Sequence, residues 1–142
     1  MRKSLKHLML VLFTAIFIIN STAWANSSTI NSWNTSSKNG VFQLNLQPES
    51  KNYSIGNYDS WKIKITDNHN RPITNAEIKM DGGMVEHSHG LPSQPQITQY
   101  LGNGEYLIEG VLFNMAGTWT FLFKIDTEQA SDVARFDMEI VP

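Results

Sequence analysis

The chain has 142 residues, 11 Lys and Arg against 13 Asp and Glu, a formal net charge of −2 and no cysteine. Without thiols there are no disulfide staples, thiolate metal sites, cysteine nucleophiles or lipid attachments through cysteine, so a domain built from this chain holds together by packing alone. The slightly acidic balance argues against nucleic acid and anionic lipid as partners, because both require a basic footprint.

Residues 1 to 25 have the three-part layout of a secretory signal peptide. Arg2, Lys3 and Lys6 supply the positive start, and Leu8 to Ile19 form an apolar run broken only by Thr14. That run is short for a membrane span of about 20 residues. Ala23-Trp24-Ala25 then gives the small-x-small pattern of a cleavage site and places the mature start near Asn26. An uncleaved N-terminal anchor is the competing reading. Cleavage removes three cations and no acid, taking the formal charge from −2 to −5, and leaves residues 26–142, one domain's worth of chain. The expected location is a periplasm or other extracytoplasmic space, with no stable membrane anchor.

Residues 26 to 40 are mostly small and polar and carry too little apolar surface to offset their ordering entropy. They read as a flexible leader, with Trp33 as the one side chain able to pack. From Val41 onward the apolar residues recur every second position, which marks strands with one buried face. Phe42, Leu44 and Leu46 form the first such set, and Trp61, Ile63 and Ile65 the second. The second run stops at the turn chemistry of Asp67-Asn68-His69-Asn70-Arg71-Pro72. Ala76, Ile78 and Met80 alternate as far as Asp81-Gly82-Gly83, read as a break. Residues 97 to 101 and 105 to 111 flank Gly102-Asn103-Gly104 and predict a hairpin. Trp119, Phe121, Phe123 and Ile125 line one face of the next strand. After a polar linker at 126 to 132, Phe136, Met138 and Ile140 close the chain.

No segment has a sustained helical period. About seven short strands over residues 41 to 142 predict an all-β fold, an immunoglobulin-like antiparallel β-sandwich, with a barrel as the alternative. If successive strands run antiparallel, the connections at 48 to 57, 81 to 96 and 112 to 117 share one pole. The turns at 67 to 72, 102 to 104 and 126 to 132 then share the other. That separation makes His69 a turn residue and brings Met115 to the pole of Met84, His87 and His89.

The chemistry of the chain concentrates in Met84-Val85-Glu86-His87-Ser88-His89-Gly90-Leu91-Pro92, which holds two of the four histidines. Residues two apart on an extended backbone project from the same face, so two imidazoles can converge on one ion. Imidazole suits copper, zinc, iron and nickel, whereas thioether is a soft ligand that favours Cu(I). Zinc sites normally draw on His, Cys and carboxylate. The expected metal set is therefore His87 and His89 with Met84 and Met115, and the expected metal is copper as Cu(I) or Cu(II). Glu86 reads as an oxygen ligand or as an outer partner of an imidazole N–H. Each member also has a plainer role: solvated polar residues for the histidines, a strand-end hydrophobe for Met84, a loop anchor for Met115. Met84 can join the histidines only if the chain bends at or after it. Met80 and Met138 read as core. There is no HExxH pair, no G-x-S-x-G elbow and no catalytic cysteine, so no enzymatic activity is expected.

Met84-x-x-His87-x-His89-Gly90-Leu91-Pro92, then Gly102-x-Gly104-x-Tyr106 and Gly110-x-x-Phe113-x-Met115-x-Gly117-x-Trp119, resembles the YtkA-like, or FixH-like, domains of exported bacterial proteins. The resemblance covers about residues 41 to 142. It implies an immunoglobulin-like sandwich outside the cytoplasm, with copper binding or a part in supplying copper to respiratory oxidases. It also implies His87, His89, Met84 and Met115 as the site. FixH-type proteins are usually membrane-anchored, whereas this chain reads as cleaved and released, which suits a soluble carrier, chaperone or tolerance factor that passes copper to a periplasmic partner protein. The alternative function is a metal-free immunoglobulin-like interaction module or accessory subunit, and a third is a small-ligand binder using exposed aromatics.

Overall fold

The computed structural model describes residues 31–51 and 53–141. The signal peptide and the first part of the expected leader lie outside these residues. Nine strands follow in order: β1 (Trp33–Ser36), β2 (Phe42–Pro48), β3 (Tyr58–Asp67), β4 (Glu77–Met84), β5 (His89–Gly90), β6 (Gln96–Gly102), β7 (Glu105–Leu112), β8 (Gly117–Asp126) and β9 (Ser131–Ile140). The only described helical segment is one 3-10 turn at Val85–His87. Among the described residues no helix is long and apolar enough to cross a membrane.

Two antiparallel sheets face each other, ordered β1-β2-β3-β7-β6 and β5-β4-β8-β9. With the two short strands β1 and β5 set aside, the remaining seven read first-second-fifth-fourth in one sheet and third-sixth-seventh in the other. That is the constant-type immunoglobulin arrangement, so the fold is the expected β-sandwich. The core follows from the two-residue period: Phe42, Leu44, Leu46, Trp61, Ile63, Ile65, Phe121, Phe123, Phe136, Met138 and Ile140 are all buried. Met138 is core as expected, and Met80 is half-buried against it.

Three local expectations are corrected. The leader does not extend to residue 40, because Trp33–Ser36 pairs antiparallel with β2, Trp33 opposite Leu46. Its anchor is the Trp33 ring, stacked on buried Trp61 with centroids 5.5 Å apart. The glycines at 82 and 83 do not break the chain, since β4 runs through them to Met84. The linker at 126 to 132 ends early, because β9 starts at Ser131 and turns Asp132 inward.

Asp132 replaces an apolar residue at a core-facing position and is satisfied there by the segment after β1. Its carboxylate accepts hydrogen bonds from the Asn39 backbone N–H at 3.0 Å and the Asn39 side-chain amide at 2.9 Å. Burial pushes its pKa up, but donors from Ser37, Val133, Asn39 and Val41 outweigh that and hold it at about 2. Lys38 N–H also donates to the Val133 carbonyl at 2.7 Å. Residues 37 to 39 therefore tie the edge of the first sheet to β9 of the second.

The loops divide between the poles as antiparallel strands require. At one end, Gly56 N–H donates to the Phe113 carbonyl at 2.7 Å, joining the β2–β3 and β7–β8 connections. At the other, Ile65 N–H donates to the Gly104 carbonyl at 2.9 Å, beside Pro72. His69 lies at that far end in a turn closed on Asp67, whose carboxylate accepts the His69 and Arg71 backbone N–H groups. Tyr106 braces the approach to β4: its hydroxyl donates to the Ile73 carbonyl at 2.9 Å and accepts from Ala76 N–H at 3.3 Å.

Candidate metal centre

The histidine loop is a tight reversal at the end of β4. Gly83 makes it feasible, with φ at 151° and no side chain: a Cβ there would run into the His89 carbonyl and meet Gly90 Cα at 2.8 Å. That closeness lets β5 fold back on β4, pairing Gly83 with Gly90 and Met84 with His89. Leu91 N–H secures the return by donating to the Gly82 carbonyl at 3.1 Å. Between the two strands the chain makes the 3-10 turn at Val85–His87, and Ser88 reverses it in the left-handed region at φ 54°, ψ 31°.

This turn is the bend that Met84 needed. The two imidazoles come together by a different route from the one an extended backbone would provide, since the chain between them is turned rather than straight. Their rings stand 6.0 Å apart at centroids and 28° from parallel. At that separation, rotation of the two side chains can turn one nitrogen of each ring toward a shared ion about 2 Å away. Residues 85 to 90, Glu86 among them, are exposed. A cleft of about 160 Å³ opens beside His89, bordered by Asp81, Val85, Thr120 and Arg135, so the imidazole is approachable from solvent.

The two methionines differ. Met84 is 2 % exposed and belongs to the core, with its Cε only 2.7 Å from where a Cβ at position 117 would sit. Gly117 holds a φ of 129° and, lacking a side chain, leaves room for that methyl group. Met115, two residues earlier, is 36 % exposed. The fold thus brings the Met84 thioether against the segment that carries Met115, as strand parity predicts, and keeps His69 at the opposite end. Met84 fills the core role expected of a strand-end hydrophobe while its tip reaches the pole.

The 113–117 segment is held from beneath by Trp119, a link that spacing alone did not reveal. The Trp119 Nε1–H donates to the Met115 carbonyl at 3.1 Å, and its ring meets Phe113 edge-on at 5.3 Å. Phe113 in turn packs on Tyr53, Trp61 and Phe121.

Among the described residues no three His, Asp or Glu side chains gather at one place. A three-ligand catalytic zinc centre of nitrogen and oxygen donors is therefore not assembled there. Two imidazoles stand on the reversal, and the buried Met84 and the exposed Met115 belong to segments that end at the same pole; imidazole and thioether together are donors that suit copper. A surface cleft of about 580 Å³ lies on the outer face of β1, β2 and β3. It is lined by polar side chains that bond one another, Asn45 to Asn34 and Ser36 to Gln43.

The fold is a small all-β domain, a constant-type immunoglobulin sandwich with an exposed His-x-His reversal at one pole. The YtkA-like family model matches residues 36–123, more than half of the chain and all of the stretch from Met84 to Trp119, and the protein belongs to the YtkA-like family. No curated protein and no solved structure gives a significant match.

Proposed function

We propose that this protein is an exported copper-binding protein that carries, delivers or sequesters the metal outside the cytoplasm without catalytic turnover. The observation that carries the reading is the pairing of the His87 and His89 rings at 6.0 Å on a solvent-facing reversal. The Met84 methyl group and Met115 flank Gly117 at the same pole. Imidazole accepts either oxidation state of copper, and thioether adds preference for the reduced one. His87 and His89 would hold the ion, and Met115 and Met84 would supply sulfur. The exposure of the histidines suits transfer to a partner protein by ligand exchange, because an incoming donor can reach the ion without unfolding the loop. The signal-like N-terminus supports an extracytoplasmic site of action.

The test is titration of the purified protein with Cu(I) and Cu(II) against competing chelators, beside the His87→Ala/His89→Ala variant. Loss of both affinities in the variant supports the reading, and equal affinity in both proteins refutes it.

A metal-free interaction module is the second reading, favoured by Val85, which is 64 % exposed at the tip of the same loop. Capture of a defined partner that persists in chelator and in the double-histidine variant, but is lost in Val85→Asp, would select it.

A further inference from the structure

We infer that Trp119 is a positioning residue for the copper site, fixing Met115 where its thioether serves as the soft ligand. The inference rests on the copper reading above and adds the residue that holds the segment carrying the thioether.

Met115 sits in the short connection between β7 and β8, a segment of Asn114, Met115 and Ala116 that is exposed throughout. A thioether on such a segment has two sources of freedom, its own torsions and the backbone beneath it, and both must be restricted when a metal binds. The fold removes the second in advance. Phe113 is 1 % exposed and wedged edge-on against Trp119, and its carbonyl accepts Gly56 N–H, so the segment is anchored where it leaves β7. Trp119 is also 1 % exposed, and its indole N–H is spent on the Met115 carbonyl at 3.1 Å. Downstream, Gly117 is packed against the Met84 methyl group. A single side chain thus grips the segment at Phe113 through its ring and at Met115 through its nitrogen.

A buried indole N–H generally takes an acceptor; Trp61 Nε1 is buried without one among the described residues, whereas that of Trp119 has one. Here the acceptor is the backbone of the one exposed methionine at the histidine pole, which couples the core to the ligand. Outer partners that orient a metal ligand contribute roughly tenfold to a hundredfold in affinity. Trp119 acts on the backbone that carries the ligand, through the Met115 peptide carbonyl.

The experiment compares Cu(I) and Cu(II) affinities of the wild type, Trp119→Phe, Met115→Leu and the Trp119→Phe/Met115→Leu double variant, with thermal unfolding recorded for each. Trp119→Phe keeps an aromatic ring and removes the N–H. The expected result is Cu(I) affinity weakened about tenfold in Trp119→Phe, with Cu(II) affinity unchanged. In the Met115→Leu background the Trp119 substitution should have no further effect. A purely structural role would weaken both ions and add to the Met115 loss. Should Trp119→Phe fold poorly, benzothienylalanine at position 119 preserves the shape of indole and replaces the N–H with sulfur. Unchanged Cu(I) affinity in either Trp119 replacement, alongside a loss in Met115→Leu, overturns the positioning role and leaves the copper site standing. Copper affinity indifferent to His87→Ala/His89→Ala overturns both.

Discussion

Substituting Gly83 would set a Cβ against the His89 carbonyl, on a backbone whose φ of 151° L side chains rarely adopt. Neither neighbour can yield cheaply, because both atoms belong to the paired backbone of β5. Gly83→Ala should therefore cost about 1–3 kcal/mol in denaturant unfolding and should weaken copper binding by displacing His89. Asp132 works through protonation instead. Its folded pKa of about 2 lies below the ordinary carboxylate value. The carboxylate therefore adds stability that is fully present above about pH 4 and lost as pH falls toward its folded pKa. Asp132→Asn should lower stability at neutral pH and make the acid side of the stability profile shallower. A profile that keeps the wild-type slope would show that other acids carry it.

Trp33 acts through the strand that carries it. As part of a flexible leader it would contribute nothing to folding, whereas β1 pairs it with Leu46 and stacks it on Trp61. Trp33→Ala should lower the melting temperature, losing about 0.5–1.5 kcal/mol from the ring pair beyond the buried area, and an unchanged melt would mean the strand is dispensable. The seven main strands were legible because each alternates over several residues. β1 was hidden because only Trp33 and Thr35 carry its inward face amid polar neighbours, and β5 because two residues hold no period. The Gly82-Gly83 pair resembled a break, since glycine is poor in strands, yet here the missing side chains permit close approach of β8 and β5. Asp132 disguised the start of β9 because a hydrophobic pattern cannot recognise a polar residue that faces the core with its own partners. Within the site, the His-x-His pair and the shared pole of Met115 were readable. The contact of Met84 with Gly117 and the grip of Trp119 on Met115 emerged only from the packing.

Taken whole, the molecule is a two-sheet scaffold with a cluster of core aromatic rings toward one pole. Tyr53, Trp61, Phe113, Trp119 and Phe121 form a continuous set of ring contacts beneath the loops that meet there. Met84 joins that core to the histidine reversal, and the opposite pole closes on ordinary turn chemistry around Asp67. On the proposed function, an exposed imidazole pair on a packed scaffold suits an ion that is held and then surrendered. The most direct measurement is X-ray absorption of the Cu(I)-loaded protein beside its His87→Ala/His89→Ala variant. The account predicts imidazole and sulfur scattering together in the wild type, with the imidazole signal gone from the variant. A wild-type spectrum without imidazole, or one the variant reproduces, would contradict it.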